Sequence, residues 1–237
     1  MQRMGIQRNI ENLYACGVHE NDVYKTLVDA VTKILNWVNI FKNTQDSEAS
    51  SVDFGSENGV KKVAISEVID IEEMAWAPKY GLKGMIDASV RVKVEANKNE
   101  PDVKVMPSEF KTGKVPKDQA RLFSVPKSLR GLLYSTDEHS AQVILYTLLM
   151  SERYQKHVDT GLLCYLQSDQ TQGIAVRRSD IVGLIVQRNQ LANDIVKASR
   201  LQVLPPMLRN SSLCRICRHL NVCTIYHKLQ NKSETEG

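Results

Sequence analysis

Apolar side chains fall at positions 23, 27, 31, 34, 35, 38 and 41 of the stretch from Glu20 to Phe41. Steps of three and four predict a helix there, with Asn21 or Asp22 available as its cap. From 42 to 60 the period is lost and Ser, Asn, Gly and acidic residues take over, which reads as a mobile loop. Residues 62–73 resume with β-branched side chains and predict a strand. Residues 81–94 alternate, so that Ile86, Ala88, Val90, Val92 and Val94 share one face and Asp87, Ser89, Arg91 and Lys93 the other. A turn over 96–102 and a returning strand over 103–112 complete a hairpin that sets Asp87 and Glu109 in neighbouring strands.

A Pro- and Gly-punctuated loop, 113–136, leads to a helix over 137–157. The unbroken apolar run "GLLCYL" predicts a buried strand within 160–168, paired as a hairpin with 171–179. A second long helix, 180–201, is broken by "LPPM". The expected organisation is a helical segment (1–41), a mobile loop (42–62), an α/β core with a central mixed sheet flanked by helices (63–204), a cysteine-rich segment (205–228) and a disordered tail (229–237).

Composition changes this picture little: 237 residues, 42% hydrophobic and 24% charged, suit a globular chain. No apolar run reaches the length of a membrane span, and "MQRMGIQRNI" lacks the apolar core of a secretory signal. A net charge of +4 permits a polyanionic partner. Of five cysteines, Cys16 and Cys164 stand alone, whereas Cys214, Cys217 and Cys223 crowd together, which reads as metal or cluster ligation.

The chemistry concentrates in "MPSEFKTGK". It is not a phosphate loop, because Ser108 occupies the first glycine position and Val115 the hydroxyl position. Glu109 and Lys111 stand side by side on one strand face while Phe110 points into the opposite layer. With Asp87 they form an oxygen-rich site of the kind Mg²⁺ prefers, beside a lysine able to assist an attacking water. An isolated Glu-x-Lys is more often a surface ion pair. Gln142 and Tyr146, four apart on one helix face, can grip a phosphate backbone or stack a base, although a polar fringe on a packed helix is the commoner meaning. "CRICRHLNVC" leaves two chemistries open: zinc completed by His227, or a four-iron–four-sulfur cluster with a fourth cysteine from elsewhere.

Acidic strand, Glu-x-Lys strand and Gln-x-x-x-Tyr helix follow in the order of the RecB-type PD-(D/E)xK nucleases. The segments "WAPKYGLKGMIDASV", "SEFKTGK", "EHSAQVILYTLLMSERY", "GLLCYLQS", "RNQLANDI" and "LPPMLRNSSLCRICRHLNVCTIYHK" resemble the nuclease domain of the eukaryotic DNA replication ATP-dependent helicase/nucleases. The resemblance implies a restriction-endonuclease-like core. It implies catalytic metal on Asp87 and Glu109, Lys111 as catalytic lysine, and Gln142 and Tyr146 as the DNA-contacting motif. It also makes Cys214, Cys217 and Cys223 three of four iron–sulfur ligands. The family's first cluster cysteine lies upstream in a Cys-x-Arg-Arg-like context, near a helix with a Gly…His-type motif. Neither is found here: Cys16, in "NLYACGVHE", is a poor match, and the chain is expected to be truncated at both ends of the nuclease core.

The expected function is Mg²⁺- or Mn²⁺-dependent hydrolysis of single-stranded or flapped DNA in the nucleus, with the mitochondrion as a second compartment. The Phe110 carbonyl is a further candidate metal ligand, and Lys114, Lys117, Arg121, Arg153, Arg177 and Arg178 are candidates to track the DNA backbone. Expected partners are a helicase region of the same polypeptide and single-stranded-DNA-binding proteins, with no membrane. The alternative is a non-catalytic DNA-binding or scaffold fragment holding zinc in place of the cluster.

Overall fold

The computed structural model describes residues 6–42, 50–55, 59–95, 102–113, 115, 138–205, 214–215 and 217–235, with residues 230–235 as backbone only. The chain divides into two compact units, Met1–Leu184 and Ile185–Gly237. The first holds α1 (Ile10–Ala15), α2 (Glu20–Lys42), β1 (Ser51–Asp53), β2 (Val60–Ala77), β3 (Leu82–Val94), β4 (Asp102–Lys111), α3 (Glu138–Tyr154), β5 (Thr160–Tyr165) and β6 (Gln170–Ala175). Helix α4 (Arg178–Leu201) runs across the division, and α5 (Leu220–Thr235) lies in the second unit.

Six strands form one sheet in the order β1-β2-β3-β4-β5-β6. β1 to β4 pair antiparallel in sequence, β5 joins β4 in parallel, and β6 closes antiparallel on β5. The parallel step needs a crossover, and α3 lies within it. Glu109 is thereby matched to Leu163 and Lys111 to Tyr165. A central strand buried on both faces reads as a continuous apolar run, which is why every residue of β5 is buried.

Among the described residues three apolar clusters pack on this sheet, and the two larger ones position the site. In one, Phe41 of α2 joins Val90 and Val92 of β3, Met106 of β4 and Leu162 of β5, with Trp37 and Phe110 at its edge. Trp37 meets Phe110 edge-on at 5.0 Å, and its indole N–H donates to Thr171 Oγ1 at 2.9 Å, tying α2 to β4 and β6. In the other, Tyr146, Leu149 and Met150 of α3 pack on Ala75 and Ala77 of β2 and Ile86 of β3. Gly84 permits this close approach: a Cβ there would come within 2.8 Å of Leu149 Cδ1 and 3.3 Å of Tyr146 Cε1.

Three expectations need correction. Ile86 does not share the layer of Ala88, Val90, Val92 and Val94, because it joins the α3 cluster while they join the α2 cluster. The alternation of β3 breaks at Asp87, where the facing strand carries Glu72 at a φ of 55°. The loop expected over 42–62 contains β1 and the start of β2. Val52 and Phe54 are buried, and the Phe54 ring covers Gly173, where a Cβ would meet it at 2.4 Å. Finally, the tail expected to be disordered continues α5 to Thr235. An established helix adds one hydrogen bond per residue as it extends, and the Lys and Gln of this stretch favour that extension. The turn at 96–101 and most of the loop at 113–136 lie outside the described residues.

Candidate active site

The β3–β4 register ends at Ala88 opposite Ser108, and one residue further on each strand come Asp87 and Glu109. Sheet pairing therefore brings the two carboxylates together, as the alternation predicts. Asp87 Oδ2 accepts the Phe110 backbone N–H at 2.8 Å, which pins it across the strand gap. Phe110 itself is held from the opposite layer by Trp37.

Glu109 is 3% exposed. Its Oε1 accepts from Lys111 Nζ at 2.7 Å. The same ammonium donates to Gln142 Oε1 at 2.7 Å, and Gln142 Nε2 donates to the Tyr146 hydroxyl at 2.7 Å. The Glu-x-Lys strand and the Gln-x-x-x-Tyr face of α3 thus form one chain of hydrogen bonds, with Lys111 fixed by acceptors from two elements. Glu109 Oε2, buried as well, has no hydrogen-bond partner. A buried oxygen of this kind is costly and calls for an explanation.

Burial lifts the Glu109 carboxyl above its usual range; the Lys111 bond opposes this, and the neighbouring Asp87 charge adds to it. Burial likewise raises the Tyr146 hydroxyl; its Gln142 bond opposes, and the charges of Glu109, Asp87 and Glu72 add. Two close carboxylates, with one lysine on Glu109 alone, hold more negative charge than the protein neutralises. Such a place attracts a divalent cation, and the free oxygen of Glu109 suits one as a ligand. Asp87 and Glu109 therefore fit a Mg²⁺ site, because that ion takes one or two carboxylates and keeps waters for the remainder.

Several residues near this site carry no motif and escape a reading of the sequence alone. Glu72 of β2 lies between Ile71, paired with Ala88, and Glu73, paired with Ile86, and so faces Asp87 across the strands. His139, one turn before Gln142 on α3, shares a 2.9 Å hydrogen bond with the Tyr165 hydroxyl. Its three-residue spacing from Gln142 was the available signal. Glu73, 1% exposed, accepts from the Ser89 hydroxyl, pairs with Arg153, and takes the Tyr154 hydroxyl at 2.9 and 3.0 Å on its two oxygens.

Among the candidate backbone-tracking cations, Arg153 is committed to Glu73, and Arg177 pairs with Asp180 at 3.1 Å. Arg178 begins α4 and is exposed, while Lys114, Lys117 and Arg121 lie outside the described residues. In the second unit the Cys217 backbone N–H donates to the Cys214 carbonyl at 3.1 Å, so these two share a turn, and Cys223 lies in the first turn of α5, its backbone N–H donating to the His219 carbonyl at 2.9 Å. All three thiols are free, and His227 Nε2 is buried without a partner. Among the described residues no three of His, Cys, Asp and Glu gather closely enough to ligate one ion. Cys164 is 1% exposed, and burial pushes its thiol up to about 12, as suits a packing residue.

The family model described as DNA replication factor Dna2 matches residues 2–92, which reach Asp87 but stop short of Glu109. The DNA replication ATP-dependent helicase/nuclease JHS1 of Arabidopsis thaliana is 64% identical over 98% of this chain. The DNA replication ATP-dependent helicase/nuclease dna2 of Schizosaccharomyces pombe is 32% identical over 75% of the chain, and the human DNA2 protein 27% identical over 93%. The chain spans 16%, 11% and 20% of these three relatives' own lengths. Over most of its length, the chain is similar to the DNA replication ATP-dependent helicase/nucleases.

Proposed function

We propose that the β3–β4 hairpin and α3 form the active site of a metal-dependent deoxyribonuclease on a restriction-endonuclease-like core spanning residues 63–204. The observation that carries this reading is the unpartnered, buried Oε2 of Glu109 beside Asp87. An antiparallel β2–β3–β4 meander with a helical crossover to parallel β5 supports it, as do the names of the relatives. Asp87 and Glu109 would hold Mg²⁺ or Mn²⁺, with the Phe110 carbonyl as a further ligand. When bound, such an ion activates a water and neutralises charge developing at phosphorus.

The protein's own groups do the rest. Lys111, held by Glu109 and Gln142, stabilises the negative charge that grows on the phosphate and orients the attacking water. Tyr146 offers a hydroxyl at the end of the relay, and Gln142 sets its direction. The substrate is single-stranded or flapped DNA, and the setting is nuclear DNA replication and repair, beside a helicase region and single-stranded-DNA-binding proteins. Among the described residues no helix is long and apolar enough to cross a membrane. Cys214, Cys217 and Cys223 supply three ligands of a four-iron–four-sulfur cluster, a reading that rests on the family resemblance, since their spacing alone also suits zinc. Anaerobic reconstitution with iron and sulfide analysis distinguishes it from zinc bound with His227.

The test of the active site is single-turnover cleavage of a flapped oligonucleotide with Mg²⁺. Lys111→Ala should lower the rate by roughly a hundredfold or more while DNA binding holds, since the lysine acts on the transition state. Asp87→Ala and Glu109→Ala should each abolish cleavage, and the double variant should be no worse than either. Parent-rate cleavage by the Lys111 variant rejects the assignment.

A further inference from the structure

We propose that Glu72 is a third, outer carboxylate of the cation site, acting on the bound ion through the ion's own water shell. This rests on the reading of Asp87 and Glu109 as a divalent-cation site.

Three observations place Glu72 there. The β2–β3 register sets it directly across from Asp87, between the pairs Ile71–Ala88 and Glu73–Ile86. Its side chain is exposed, so its charge stays solvated until something binds. Its field also reaches the Tyr146 hydroxyl, at the far end of the Lys111–Gln142 relay.

The backbone at Glu72 adds a second kind of argument. A φ of 55° is rare for a residue with a long side chain, and rarer inside a strand. Glu73 explains how it persists: its carboxylate is locked by Ser89, Arg153 and Tyr154, so that residue cannot turn outward to relax its neighbour. Two consecutive glutamates are thus set to different tasks. Glu73 is buried as an anchor, and Glu72 is turned to the rim where Asp87 lies.

A group of carboxylates alone would be only a solvated acidic rim. The independent observation is Glu109 Oε2, which is buried and unpartnered beside Asp87 and so asks for a positive ligand. Among the described residues no three acidic side chains are close enough to ligate one ion directly. Glu72 as placed therefore stands outside the inner sphere. Mg²⁺ and Mn²⁺ hold waters beyond their protein ligands, and a carboxylate at the rim accepts hydrogen bonds from those waters.

The test is Mn²⁺ binding to the full chain, followed by electron paramagnetic resonance at fixed pH and ionic strength, without DNA. The parent should bind Mn²⁺ at a site that Asp87→Asn removes. Glu72→Gln should weaken that site roughly tenfold, the usual size of a lost outer partner. Glu72→Asn should do the same while tolerating the left-handed backbone, so a folding failure of the glutamine variant leaves the question decidable. Glu72→Asp should restore most of the affinity. Parent-like binding by Glu72→Gln and Glu72→Asn, with the Asp87 variant empty, overturns the role of Glu72 and leaves the active-site reading standing. A Glu72→Asp variant as weak as Glu72→Gln also overturns it, because charge would not be the cause. No Mn²⁺ binding that depends on Asp87 overturns both.

Discussion

Two glutamates on the same sheet are almost sealed from solvent, and their surroundings differ in kind. Glu73, at 1% exposure, has both oxygens occupied by the Ser89 and Tyr154 hydroxyls and the Arg153 guanidinium. Glu109, at 3%, has one oxygen on Lys111 and the other on nothing. A buried carboxylate whose oxygens are all bonded serves the fold, tying the end of α3 to β2 and β3. One whose oxygen is left bare costs the fold free energy, and that cost is tolerated where a ligand is to arrive. Burial alone would have ranked the two alike; hydrogen-bond accounting separates them.

The largest effect should come from Glu73→Ala. It leaves the Ser89 and Tyr154 hydroxyls short of their acceptor and removes the link between α3 and the sheet. A loss of about 2–3 kcal/mol in urea unfolding is expected. Near-parent stability would remove the contrast between the two glutamates.

Next comes Gln142→Ala, which frees Lys111 on one side and strips the Tyr146 hydroxyl of its partner. Cleavage should fall about tenfold through loss of positioning, with stability nearly unchanged. If stability falls and cleavage does not, the relay belongs with Glu73 as a structural link.

The smallest effect has the most telling sign. Glu109→Gln should stabilise the chain by about 1 kcal/mol at neutral pH while ending cleavage, because it removes a buried charge crowded by Asp87. The folded carboxyl titrates above its ordinary 4.5, so the folded state holds that proton more tightly than the unfolded one. Its contribution is fully present below the ordinary value and is lost as pH rises through the raised folded one. Unfolding measured from acid to neutral pH should show this decline in the parent and not in the variant. Metal binding should show the opposite trend and weaken as the carboxyl gains its proton.

Much of the candidate site was legible in advance because it rests on local periods. Glu109 and Lys111 must share a strand face, and Gln142 and Tyr146 must share a helix face, whatever the rest of the chain does. That a hairpin would bring Asp87 to Glu109 followed from two alternating runs and a polar turn. Less legible was β1, since three residues with one buried valine and a following phenylalanine give too short a pattern to separate from a loop. Tail composition misled in the other direction: residues that look disordered alone can continue a helix begun upstream.

By itself the amino-acid sequence determined the three long helices α2 to α4, the strands β2 to β6 and the pairing of acid with lysine, because these depend on repeats of two and four residues. Only the tertiary structure decided which glutamate is an anchor and which is left open. Glu73 meets Tyr154 across 81 residues of chain, and no period in the sequence encodes that meeting. Ile86 leaves the layer of Ala88 because alternation fails at Asp87, opposite the one residue of β2 with a left-handed backbone. A strand's pattern tells which residues share a face only while the backbone stays regular, and it is irregular beside the two carboxylates.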